Sequence, residues 1–295
     1  VQQLPDEIRV LTWNVARNGR PGRGRPDRSD LARSVLAQYR PHIVFRQEET
    51  GASEDGNRAL RIEANRLGLT PCLASTHHDS PHATAVLIDT NIFEIQAEYE
   101  QRHAWHPIAN PVVRLRGVGR ELSLASIHLD PWSSIDRRRE ASHLLRLGQK
   151  GWSALIGGDT NCDPVPAEGE VPHTDWADPA IDPCLRQCRA IESDGQWVSD
   201  TRPDKILRTV FRELAHHAAA RGQSTPDPYA PTSNWWSPVG LRTRVDRTYA
   251  TDDVASTHIS HEVIADDDVK TASDHGLLLD RFDTDRLHHV LTTRS

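Results

Sequence analysis

Ala154-Leu155-Ile156-Gly157-Gly158-Asp159-Thr160-Asn161 decides how this chain reads. An apolar run of strand type meets two glycines and then an Asp and an Asn two residues apart, which in an extended chain face the same side. The glycines permit a tight, unusual backbone path directly after a buried strand, leaving Asp159 and Asn161 at its exit. Asp159 has the chemistry of a general base or a water-orienting group. The Asn161 amide can donate to a phosphoryl oxygen without adding repulsive charge. The plainer alternative is a turn made by Gly, Asp and Asn for backbone reasons alone.

Working outward, the same arrangement recurs. An alternating run over 8–14 ends on Asn14, and Ile43-Val44-Phe45 delivers Gln47 and Glu48. A clean alternation over 121–128 ends on His128, and 85–88 is a further apolar strand. Helical spacing covers 27–38, with Leu31, Val35 and Leu36 on one side, and helices are also predicted over 57–67, 135–147 and 205–220. Strands are predicted over 243–249, 262–265 and 276–282. The Pro/Asp/Cys-rich stretch from Thr160 to Thr201 is where specificity loops or a small lid would sit. With no internal repeat and no linker, one domain over 1–295 with intermixed strands and helices is expected.

Asn14, Glu48, His128, Asp159, Asn161, Asp246, Asp274 and His275 all lie beside apolar runs. Solvation explains any one of them better than it explains the set. A carboxylate such as Glu48 at a buried strand end is costly unless a cation or a hydrogen-bond network compensates it. Mg²⁺, with Mn²⁺ as the alternative, suits an oxygen-rich site and keeps waters that a phosphate can displace. Glu49 points away from Glu48 in an extended chain and reads as a surface acid. In Ser273-Asp274-His275 the imidazole suits charge building on phosphate oxygens. Its holder is expected to be Asp246, because the adjacent Asp274 points apart and is free to help bind metal. A serine-nucleophile triad can be drawn from these letters, but there is no G-x-S-x-G elbow.

Six stretches carry a resemblance: Leu11-Thr12-Trp13-Asn14, Phe45-Arg46-Gln47-Glu48, Ser126-Ile127-His128-Leu129, Gly157-Gly158-Asp159-Thr160-Asn161, Arg244-Val245-Asp246-Arg247 and Ala272-Ser273-Asp274-His275. In this order they resemble the endonuclease/exonuclease/phosphatase family. The resemblance implies an α/β, four-layered sandwich of two packed mixed β-sheets flanked by helices, the deoxyribonuclease-I-like fold. It implies that Asn14 and Glu48 anchor the metal, with Glu48 the direct ligand and Asp274 an acid near it. It further implies that His128 contacts the phosphate, Asp159 aligns or deprotonates the attacking water, and Asn161 holds the phosphoryl group. His275 would bind phosphate with Asp246 orienting it, and water would attack in line with no covalent intermediate. A non-catalytic relative would be expected to lack one of Glu48, Asp159 or His275, and all three are present.

The bulk numbers restrict the partner. Net charge is -7 with 26% charged residues and no basic tail, which weighs against a tight duplex binder. Against that, Arg17, Arg20, Arg23, Arg25 and Arg28 crowd a loop directly after Asn14 and would attract a polyanion or a small, highly phosphorylated ligand. Trp235 and Trp236 could stack on a base, or one ring could pack into the core with the other covering it. We therefore expect a phosphate ester substrate, nucleic acid among the candidates, with a phosphomonoester metabolite or lipid headgroup as the alternative. Apolar runs are too short to span a bilayer. A soluble monomer is expected, cytoplasmic or secreted after removal of a signal that leaves no trace. Cys184 and Cys188 read as a reduced or structural pair rather than a metal site.

Overall fold

Strands that are apolar on both faces need cover on both sides. That is the condition here: β2, β4 and β8 are buried along their whole length. The computed structural model describes residues 4–22, 24–76, 79–223, 227–237 and 242–292. In chain order its strands are β1 (Glu7–Asn14), β2 (Ile43–Gln47), β3 (Thr70–Leu73), β4 (Ala85–Ile88), β5 (Phe93–Gln101), β6 (Ile108–Leu115) and β7 (Glu121–His128). There follow β8 (Ser153–Asp159), β9 (Ala190–Ser193), β10 (Gln196–Ser199), β11 (Arg212–Glu213), β12 (Asp246–Ala250), β13 (His258–Ile264) and β14 (Leu277–Asp283). The helices are α1 (Ser29–Gln38), α2 (Arg58–Leu67), α3 (Ser134–Leu144), α4 (Pro183–Arg189), α5 (Arg202–Leu207), α6 (Leu214–Ala220), α7 (Asp252–Ala255), α8 (Asp267–Ala272) and α9 (Thr284–Thr292).

Two six-stranded mixed sheets form, ordered β13-β14-β1-β2-β4-β3 and β11-β12-β8-β7-β6-β5, and β9 and β10 make a separate hairpin. Each large sheet has one parallel pair, β1 with β2 and β7 with β8. Between the sheets, Val10, Phe45 and Val86 meet Val113, Leu124 and Leu155 in a shared apolar layer. The outer face of the first sheet packs Trp13, Val44 and Leu87 against Val35, Leu60 and Val269 of α1, α2 and α8. The outer face of the second packs Ile127, Ile156 and Tyr249 against Ala141 and Leu144 of α3 and Leu207 of α5. The result is the layered α/β sandwich that the resemblance implies. Among the described residues no helix is long and apolar enough to cross a membrane.

Three expectations are corrected. The glycines of the opening motif do not follow a strand; they lie inside β8 and serve close approach rather than a turn. A Cβ on Gly157 would come 2.4 Å from the Phe45 ring, and one on Gly158 would come 1.9 Å from the Ile127 carbonyl oxygen. The helix predicted over 205–220 is broken into α5 and α6 by a turn that buries Phe211 and lets Arg212 and Glu213 pair with Ala250 and Tyr249. Glu213 then caps α6, accepting from the Ala215 and His216 backbone N–H groups. Glu49 is no surface acid: it is 1% exposed and pairs with the fully buried Arg46 at 2.9 Å. The reason is local. Glu48 sits at φ 55, so the alternation of an extended chain fails there.

The segment that leads into β12 is clamped by Arg244, which reaches Glu170 at 2.6 Å and Glu213 at 3.0 Å. Burial alone would raise both carboxyls, but His216 and Arg244 outweigh it for Glu170, and Arg244 does so for Glu213. Both are held at about 2, below their ordinary 4.5. Depressed acids contribute stability that is complete above the ordinary value and lost as pH falls through the folded one. Resistance to urea should therefore fall as pH drops from about 4.5 to about 2. Arg244→Ala should cost on the order of 3–5 kcal/mol at neutral pH, because it strands two buried carboxylates; a loss below about 1 kcal/mol would contradict the clamp.

Candidate active site

Strand register assembles the site before any side chain turns. Asp159 is the last residue of β8, opposite His128 on the parallel β7 and opposite Asp246 on the antiparallel β12. In the facing sheet Asn14 ends β1 opposite Gln47, and the chain then turns at Glu48. The sheets are tied just below by Gln47, whose side-chain amide donates to Ser126 Oγ at 2.9 Å. Ser126 in turn donates to the Arg46 carbonyl.

The Asn14 amide bridges the two sheets, donating to Asp159 Oδ2 at 3.2 Å and lying 3.5 Å from Glu48 Oε1. Glu48 Oε2 accepts from the Arg17 backbone N–H at 2.7 Å. Asp159 Oδ2 also lies 3.6 Å from His128 Nε2 and 3.9 Å from His275 Nε2, and its Oδ1 accepts from the Asn161 N–H at 2.8 Å. Asn161 spends one amide hydrogen on the Leu129 carbonyl, which leaves one for a ligand. His275 Nδ1 pairs with Asp246 at 2.9 Å, the partner expected over the adjacent Asp274. Ser273 holds this segment, donating to the Asn14 carbonyl while accepting from the Ala16 and His275 N–H groups. Its hydroxyl is buried and fully used, so it is no nucleophile.

Glu48, His128, Asp159, Asn161, Asp274 and His275 all line one cleft of about 480 Å³. Asn14 and Asp246 stand behind them, fully buried. The eight residues singled out from sequence are thus brought to one place. Within it, ligand atoms of Asp159, Asp246 and His275 lie within 4.8 Å of one another, close enough to hold one metal ion. Glu48 and Asp274, the acids expected at the metal, share the cleft but stand outside that tight group.

Residues the sequence reading did not single out complete the walls. His106 stacks on His128 with ring centroids 4.0 Å apart, and Ser80 bonds its Nδ1. Trp105, Trp132, Trp176, Leu185 and Arg189 also line the cleft. A lone His before a strand, or an Arg at the end of a two-turn helix, carries no pattern that marks it in advance.

The arginine loop offers fewer free guanidinium donors than its count suggests. Arg20 pairs with Glu54, and Arg28 is spent on the Ala272, Ala16 and Arg20 carbonyls. Arg23 lies outside the described residues. Arg17 and Arg25 line a second cleft that shares Glu48 and Asp274 with the first. Among the described residues, neither Trp235 nor Trp236 belongs to an apolar core cluster. Arg25 and Arg28 lie over the Trp236 ring at 3.7 and 4.7 Å, and Trp236 Nε1 donates to the Lys270 carbonyl.

Fold and site together define the class: a layered α/β sandwich that gathers acids, imidazoles and amides at the shared edge of two mixed sheets. The chain belongs to the endonuclease/exonuclease/phosphatase family, whose model matches residues 11–275. No curated relative matches it significantly by sequence. Among solved structures it is similar to a Bacteroides vulgatus endonuclease/exonuclease/phosphatase (TM-score 0.66, 15% identity, 93% of this chain and 98% of that one). It is also similar to Danio rerio TDP2 complexed with single-strand DNA product (0.63, 14%, 95% and 100%). A third is the human Nocturnin catalytic domain with bound sulfate (0.59, 16%, 95% and 95%). At these identities the likeness is one of fold.

Burial would lower the His275 ring, but the Asp246 carboxylate outweighs it and holds the imidazole well above its ordinary value. Burial, with His82 and His275 nearby, pushes His128 well below, and burial beside His128 lowers His106. At neutral pH, nitrogen-detected NMR should show His275 protonated on both ring nitrogens and His128 and His106 on one each. Asp246→Asn should return His275 to the neutral form; a charged His128 beside a neutral His275 would contradict this electrostatic order.

Proposed function

We propose that the chain is a Mg²⁺-dependent phosphodiester hydrolase of nuclease type. The observation that carries the proposal is Asp159, held by Asn14 and Asn161 and lying within 4 Å of two imidazole nitrogens. The donor set suits a hard cation: Glu48 and Asp274 offer carboxylate oxygens in the cleft, and Asn14 Oδ1 is buried without a hydrogen-bond partner. We place the ion with Glu48, Asp274 and Asn14 rather than in the Asp159–Asp246–His275 group. There the His275–Asp246 hydrogen bond is already made, and a protonated ring already offsets the acids. Mg²⁺, when bound, supplies Lewis-acid stabilisation of a phosphoryl oxygen.

The chain's own residues account for the rest. Asp159, fixed by two donors, orients a water and takes its proton as it attacks phosphorus. Protonated His275, the remaining Asn161 amide hydrogen and His128 are donors for the phosphoryl oxygens, where negative charge builds in the transition state. Asp246 keeps His275 charged and aimed. Ser273, the serine nearest His275, is spent on internal hydrogen bonds, and the mechanism is direct displacement by water.

The nuclease-type reading is supported by the Arg17 and Arg25 cleft beside Glu48, with the Arg-stacked Trp236 on its wall, which suits a second phosphate and a base. A second reading, hydrolysis of a small phosphomonoester, is supported by Arg20 being paired with Glu54 at the surface and Arg28 being spent on backbone carbonyls. With Mg²⁺, a panel of supercoiled, single-stranded and abasic DNA, RNA and small monoesters should show diester cleavage. Chelation should abolish it, and Asp159→Asn should reduce it about 10²- to 10⁴-fold. Turnover of monoesters alone would remove the nuclease reading, and chelator-resistant cleavage would remove the mechanism.

A further inference from the structure

Arg46, Arg137 and Arg244 are each fully buried and each paired with a carboxylate. Arg189 breaks that rule. It ends α4 inside the stretch 160–201 and is only half-buried, and it lines the cleft with His128, Asp159, Asn161 and His275. Among the described residues its guanidinium makes no hydrogen bond and no ion pair. Burial lowers its pKa, and Asp159 and Asp163 are the opposing charges it feels. Its charge adds to the burial and the neighbouring imidazoles that lower His128. A partly desolvated guanidinium with no partner is a cost unless an anion arrives to meet it.

The backbone that carries this free head is fixed. Asp182 caps α4 by accepting from the Cys184 N–H, with Pro183 in the first turn. The Cys188 carbonyl accepts from Arg137 Nη2 at 2.7 Å, and the Arg189 carbonyl accepts from the Asp200 N–H at 3.0 Å. Arg137 also pairs with Asp200 at 3.3 Å and bonds the Asp130 carbonyl, two residues past His128. The same buried guanidinium therefore ties α4 to the exit of β7. A pinned backbone with an unspent planar donor fork is a preorganised anion site.

We propose that Arg189 is a substrate-binding residue that clasps phosphoryl oxygens of the ester through its guanidinium fork. The proposal rests on the reading that this cleft takes a phosphate ester. Leu185, one turn earlier on α4, also lines the cleft, so the helix offers a cation and an apolar contact together.

The test compares wild type with Arg189→Ala and Arg189→Lys, by Mg²⁺-dependent hydrolysis of an aryl phosphodiester and by binding of inorganic phosphate in phosphorus NMR. Arg189→Ala should lower kcat/KM about 10- to 100-fold and weaken phosphate binding by about tenfold or more. Its thermal midpoint should be unchanged, since the side chain makes no internal bond. Arg189→Lys should be intermediate, and millimolar guanidinium should restore part of the Ala variant's activity. A wild type that binds phosphate through Arg189 but cleaves no ester would sink the hydrolase reading and leave this inference standing. The inference is overturned if the Ala variant keeps activity and phosphate affinity within about twofold. A loss of activity that guanidinium does not rescue, with phosphate binding intact, overturns it too, as does a wild type that neither binds phosphate nor turns over.

Discussion

The Asn14 amide stands between two acids from different sheets, 3.2 Å from Asp159 and 3.5 Å from Glu48. Two carboxylates cannot share a partly dry cleft without positive charge or donors between them. The rest of the site answers that constraint. Asn14 supplies one donor, the backbone N–H groups of Arg17 and Asn161 supply two more, and His275 is held in the charged form by Asp246. What these donors leave unbalanced around Glu48 and Asp274 is the place we assign to a divalent cation.

The sandwich exists to meet this requirement at low strain. One parallel pair in each sheet opens toward a shared edge, so Asn14, Glu48, His128 and Asp159 arrive there by register, while Asp246 enters on an antiparallel neighbour. Gly157 and Gly158 let the sheets and strands approach closely at that edge. Gln47 and Ser126 then lock the sheets together one residue below the acids. Glu48 is one of several left-handed residues at this edge, with Arg17, Asn18 and Asn161; its φ of 55 sends Glu49 inward to Arg46 and leaves Glu48 facing the cleft.

Much of this was legible in the letters, and for a physical reason. Apolar runs that end in Asn14, Glu48, His128 or Asp159 expose both the strand and its functional tip, so the mixture of strands and helices and the polar strand ends followed from local pattern, while the two-sheet architecture was legible only through the family resemblance of the ordered stretches. The Asp246 partner of His275 was legible because neighbours on an extended chain point apart. The same rule misled at Glu49, since one left-handed residue cancels it. The break between α5 and α6 was hidden because Phe211 fits a helical spacing as well as it fits a buried turn. Arg189 was invisible: α4 has seven residues, too few to show a period, and the long-range bonds from Arg137 and Asp200 that fix it have no local signature.

The most direct test of the central claim is the position of the ion itself. In crystals grown with Mn²⁺, the anomalous signal should lie about 2.1 Å from a Glu48 carboxylate oxygen, with the His275–Asp246 hydrogen bond intact. A peak enclosed by Asp159, Asp246 and His275, with that hydrogen bond broken and Glu48 uncoordinated, would contradict it.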